Sequence, residues 1–171
     1  MRGVLGLGLL MLFLAATPAH AQNAKFLQKF SDWSAYVHAS AAKKVCFVIA
    51  QPKEKLPKRV RRGPIYFYIS HWPNEKVRNE ISIKIGYPFR ANSTVDVTIG
   101  KDKFKLFTKD EGAYVESADT EKRLVDAMRK GSLMTVQGRS SRGTLTTDKY
   151  SLNGISAALD RIAQECPQAG S

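Results

Sequence analysis

Six cations crowd into ten residues of this chain: Lys53, Lys55, Lys58, Arg59, Arg61 and Arg62 stand against one anion, Glu54. Pro52 and Pro64 bound the segment, and no apolar period runs through it, so it reads as a loop. Such a loop can follow an irregular anionic surface, its arginine forks matching phosphate or sulfate through paired hydrogen bonds. Arg139 and Arg142, in the basic turn Arg139-Ser140-Ser141-Arg142-Gly143, join the cluster if the fold brings them near. Anion binding is the expectation for these eight side chains; a solvated loop that only aids solubility is the plain alternative.

Chemistry of other kinds finds fewer residues. Histidine does most acid and base work at neutral pH, and only His38 and His71 lie beyond the first 21 residues. His71, beside Trp72 at the end of an alternating segment, is the better candidate, though an ordinary strand-end histidine looks the same. A serine nucleophile needs a G-x-S-x-G elbow opening a helix, whereas Gly138-Arg139-Ser140-Ser141-Arg142-Gly143 is one residue too long and joins two strands. Neither G-x-G-x-x-G nor a Walker pattern occurs, so no phosphate-cradling loop is expected. The reading is a protein without catalytic residues, cofactor or metal. Tyr66, Tyr68 and Trp72 share one strand face where rings can stack on sugars, but burial between two sheets is the expectation.

The chain begins with Met1-Arg2, an apolar run from Gly3 to Ala16, and Thr17-Pro18-Ala19-His20-Ala21 before Gln22. A basic start, a short apolar stretch and an A-x-A site define a cleaved secretory signal, residues 1–21, with no membrane span left in the mature form. The expected location is periplasmic or secreted. About 150 residues remain, enough for one domain, 22–171. Loss of Arg2 leaves 26 basic against 15 acidic residues, a net charge of +11. That field favours an anionic envelope glycolipid or polysaccharide, or an acidic envelope or host-surface protein; export and the lack of a nucleic-acid motif exclude nucleic acid.

Two cysteines remain, Cys46 and Cys166. In an oxidising compartment a lone pair is expected to be bridged, closing a loop of about 120 residues worth about 4 to 5 kcal/mol on the chain-entropy argument. A zinc site would need Cys46, Cys166, His38 and His71 together, without any close ligand pair.

The elements that must position these groups are mostly strands. Residues 65–72 and 80–87 alternate cleanly, with Ile65, Phe67, Ile69 and His71 on one face and Ile81, Ile83, Ile85 and Tyr87 on its counterpart. Lys44 to Gln51 is nearly continuous in apolar residues and reads as a strand buried on both faces. Residues 95–99 and 104–106 form a hairpin through Gly100, 112–116 adds a short strand, and 133–138 pairs with 144–152. Residues 117–130 change to helical spacing, capped by Ser117 or Asp119, and Asn153 caps a last helix that ends at Pro167. Residues 23–40 are mixed, with Phe30 and Trp33 capping the core. About eight strands and two short helices make an antiparallel β-sandwich or barrel-like domain.

With these segments placed, the chain resembles the invasion-associated locus B family of exported proteins from Gram-negative bacteria. The residues that carry the likeness are Phe30-Ser31-Asp32-Trp33, Val45-Cys46-Phe47 with Gln51-Pro52, Ile85-Gly86-Tyr87-Pro88-Phe89, Leu124 to Gly131, and Tyr150-Ser151-Leu152-Asn153-Gly154. The resemblance implies a small β-rich periplasmic or surface-associated protein, connected in some relatives with entry into host cells, and no known catalytic residues. The expected function is a non-enzymatic envelope protein that binds an anionic partner. The alternatives are a host-cell invasion or adhesion factor with a protein receptor, and an envelope hydrolase using His71.

Overall fold

Period-two alternation over most of the chain requires strands with one covered face. The computed structural model describes residues 24–167, so the expected signal segment 1–21 lies outside the described residues. Among the described residues eleven strands run in chain order: β1 (Lys25–Phe30), β2 (Trp33–Ala39), β3 (Lys44–Ala50), β4 (Glu54–Leu56), β5 (Tyr66–Trp72), β6 (Val77–Lys84), β7 (Thr94–Ile99), β8 (Asp102–Lys109), β9 (Gly112–Tyr114), β10 (Leu133–Arg139) and β11 (Leu145–Ser151). Helix α1 (Ala118–Lys130) separates β9 from β10, and α2 (Ile155–Glu165) follows β11.

All strands join one antiparallel sheet in the order β1-β2-β3-β5-β6-β9-β8-β7-β10-β11-β4, which does not close on itself. It rolls far enough for its two halves to touch. The Trp33 indole of β2 donates to the Ser151 carbonyl of β11 at 3.1 Å, and Phe67 of β5 meets Tyr150 of β11 edge-on at 5.8 Å. The barrel-like expectation thus takes the form of a rolled, open sheet whose inward residues fill one core with the apolar stripes of both helices.

Three strands are absent from the sequence reading. β1 and β2 form an N-terminal hairpin in which Trp33, Ala35 and Val37 point inward and Ser34, Tyr36 and His38 outward. The small Ala35 hides that alternation. β4 lies inside the proline-bounded loop and pairs with β11, Lys55 opposite Asp148. β3 also departs from expectation: Cys46, Val48 and Ala50 are buried, but Phe47 and Ile49 keep an outward, half-buried face.

Cys46 and Cys166 are bridged, their Cα atoms 6.0 Å apart, which pins the end of α2 to β3. The sulfurs are therefore committed to each other and not to zinc. Ser117 caps α1, its Oγ accepting from the Thr120 N–H at 3.3 Å. α2 departs from expectation, because its cap is Gly154 at φ 90° and not Asn153. A Cβ at Gly154 would collide with the Phe30 carbonyl, so both the backbone angle and the close approach of β1 require glycine.

Candidate functional site

The basic loop spans β3 to β5, and three features fix its course. Lys53 N–H donates to the Lys149 carbonyl at 2.8 Å, and β4 adds three residue pairs with β11. At the far end Gly63 N–H donates to the Gly86 carbonyl at 2.8 Å. Gly86 has φ 80°, and a Cβ there would stand 2.5 Å from the Gly63 oxygen, so the two backbones approach closely only because Gly86 carries no side chain.

The third feature is Arg62, and it corrects the sequence reading. Its guanidinium is 5% exposed and forks onto Asp148, which is fully buried, at 2.7 and 2.6 Å. Its Nε and Nη2 also donate to the Ile85 carbonyl at 3.2 and 2.9 Å, and the charge sits 5.1 Å from the centre of the Tyr87 ring. A fork already filled by a buried carboxylate cannot serve an external anion, so Arg62 anchors the loop and leaves the anion-binding set. Burial pushes the Asp148 carboxyl up, while Arg62 and Lys55 pull it down.

Two more of the eight cations are engaged. Lys53 pairs with Asp32 and holds that carboxyl below its ordinary value, and Arg139 donates to the Gly143 carbonyl at 2.8 Å across its own hairpin tip. Lys55, Lys58, Arg59, Arg61 and Arg142 are exposed. Glu54 beneath them is neutralised by Lys149 at 2.7 Å.

The fold does bring the hairpin tip to the loop. Ser141 N–H donates to the Pro88 carbonyl at 2.8 Å and Arg90 N–H to the Arg139 carbonyl at 2.9 Å, which seats the tip beside Gly86 to Phe89. Arg61 and Arg142 consequently line one open groove with Ser140, Ser141 and Glu111. A second groove, under Lys53, Lys55 and Lys58, continues along the loop. The site is a cationic surface with hydroxyl donors, held by a rigid buried ion pair. Glu111 is the one acidic group among the residues lining the Arg61 groove.

His71 is placed away from this surface. Its ring is 3% exposed, Nε2 donates to the Asn79 side-chain oxygen at 3.1 Å, and Nδ1 has no partner among the described residues. Burial, with Arg78 and Arg129 nearby, lowers its pKa to about 4. It is a core histidine kept neutral, unable to reach a substrate in this conformation.

The Tyr66, Tyr68 and Trp72 face is not sandwiched between two sheets, because the described residues form one sheet. Tyr66 and Tyr68 are half-buried on its outward side, and Trp72 donates to Glu80 at 2.5 Å. No helix of the described residues is long and apolar enough to cross a membrane.

Fold and site together define a disulfide-tied, rolled antiparallel β-domain with a cationic loop surface. The sequence matches the family profile described as Invasion associated locus B (IalB) protein over residues 33–163, and the chain belongs to that family. No curated protein and no solved structure matches it.

Proposed function

We propose that this protein is a non-enzymatic, exported envelope protein that holds an anionic glycolipid or polysaccharide through the cationic surface of loop 52–64 and the β10–β11 hairpin tip. The observation that carries the reading is the convergence of Arg61 and Arg142 on one groove, flanked by exposed Lys55, Lys58 and Arg59, on a loop anchored by Arg62. Cations that are exposed on a fixed backbone bind anions without losing loop entropy on association. The hydrolase alternative loses its candidate base, since His71 is buried and bonded to Asn79.

The test replaces Lys58, Arg59, Arg61 and Arg142 with serine and leaves Arg62 in place. Retention of the oxidised protein on heparin and on purified envelope fractions should fall by on the order of 10- to 100-fold at low salt, with the melting temperature unchanged. Wild-type retention should itself weaken steeply toward physiological salt. Unchanged retention of the quadruple variant refutes the reading. The family's description favours a second one, a host-surface protein receptor, which predicts saturable binding that is insensitive to salt.

A further inference from the structure

Five aromatic rings form a continuous row on the outward side of β1, β2, β3 and β5. Phe26 meets Tyr36 edge-on at 5.5 Å, Tyr36 stacks on Phe47 at 5.4 Å, Phe47 reaches Tyr68 at 6.2 Å, and Tyr68 neighbours Tyr66 at 5.8 Å. Strand register explains the row. Phe26 pairs with Tyr36 and Tyr36 with Phe47 across adjacent strands, then the line steps one pair diagonally to Tyr68. Tyr36, Phe47, Tyr66 and Tyr68 line an open groove of about 680 Å³. Lys29, Asp32, Ser34, Gln51 and Lys53 supply polar groups to the same lining, beside apolar Ile49 and Pro52. Lys53 also lines the groove beneath Lys55 and Lys58, so the aromatic groove and the loop groove meet at that residue.

We infer that this row is the sugar-binding floor of a site for an acidic polysaccharide, whose anionic groups continue onto the basic loop; the inference rests on the anion-binding reading above and names its ligand. Rings left open to water recover free energy when an apolar face covers them, and the C–H face of a pyranose is flat, ring-sized and rimmed by hydroxyls. Those hydroxyls need donors and acceptors at the edges, which Ser34, Gln51, Asp32 and the tyrosine hydroxyls supply. Acidic substituents meet Lys29 and, past the Lys53–Asp32 pair, the exposed cations of the loop. A lipid tail or apolar protein surface would strip water from the same charged groups with nothing to pair them.

The experiment compares heparin, a sulfated polysaccharide, with inorganic polyphosphate, an anion without sugar rings, on the intact oxidised protein. Tyr36→Ala/Tyr68→Ala should bind heparin roughly tenfold more weakly and polyphosphate as the wild type does. Tyr36→Phe/Tyr68→Phe keeps both rings and should retain most heparin binding. The Lys58, Arg59, Arg61 and Arg142 serine variant should weaken on both ligands. Heparin binding that is indifferent to the alanine pair overturns the inference and leaves the anion site standing, as does equal loss on both ligands. Failure of the wild type to bind either ligand overturns the anion-binding reading itself. Should the alanine pair not fold, tyrosine ring resonances of the wild type decide: shifts with heparin and not with polyphosphate support the floor, and none at heparin saturation refutes it.

Discussion

Arg62→Ala should unfold the loop's anchor and much of the domain's stability with it. The substitution removes two charge-assisted hydrogen bonds to Asp148 and two more to the Ile85 carbonyl. It leaves Asp148, fully buried, without its counter-charge. Breaking one side of such a pair costs about 3 to 5 kcal/mol, a large share of the 5 to 15 kcal/mol typical of a domain. At about 2 to 4 °C per kcal/mol for this size, the melting temperature should fall by roughly 10 °C. The cost carries a pH signature. Without Arg62 the Asp148 carboxyl, already raised by burial, rises further, so its proton is bound in the folded state and released in the unfolded chain. Stability of the variant, relative to wild type, should therefore recover as pH falls through that raised folded pKa. Arg62→Met/Asp148→Leu, which removes both charges and keeps the volume, should regain most of the loss at pH 7. Urea denaturation of the three proteins at pH 5 and pH 7 reads all of this. A penalty below about 1 kcal/mol, or one that does not depend on pH, would refute a structural role for Arg62 and return it to the ligand surface.

His71 gives a second pH effect. Its pKa is about 4 in the fold and 6.5 in the free side chain, so the unfolded state binds more protons between those values and stability falls as pH drops from 6.5 toward 4. The full difference is worth roughly 3 kcal/mol, and a His71→Gln variant should show that much less destabilisation between pH 7 and pH 4 by urea titration. Tyr150→Phe should be neutral or stabilising by up to about 1 kcal/mol in thermal denaturation, because the buried Tyr150 hydroxyl has no partner among the described residues. Gly154→Ala should cost about 1 to 3 kcal/mol by the same measurement, since the residue sits at φ 90° against the Phe30 carbonyl; an unchanged melting temperature would contradict the tight β1 to α2 junction.

Strands with strict alternation were legible because each had one covered face: β5 and β6 follow the pattern of Phe67, Ile69, Ile81 and Ile83. Two of the failures share one cause, that the sequence does not say which side of a strand stays uncovered. Phe47 and Ile49 made β3 look enclosed, yet they belong to the outward face. Tyr66 and Tyr68 suggested a second sheet over them, and the single rolled sheet supplies none. β4 carries Glu54, Lys55 and Leu56, too short and too charged for a period to appear, and its pairing with β11 depends on a partner nearly a hundred residues away.

Charge in the loop was legible as a sum and not as a set of roles. Nothing local separates Arg61 from Arg62, which are neighbours of the same type. What separates them is Asp148, a carboxylate that alternation alone marks, since it lies on the inward face of β11 between Thr146 and Tyr150. An acidic residue at an inward position must find a cation, and with an excess of basic residues the cation has to come from a segment packed against that strand. The loop carrying β4 is that segment. The eight cations of the loop and hairpin tip are therefore divided by geometry into one that holds the loop, two engaged in local pairs and five that face solvent, and separating those effects requires variants that spare Arg62.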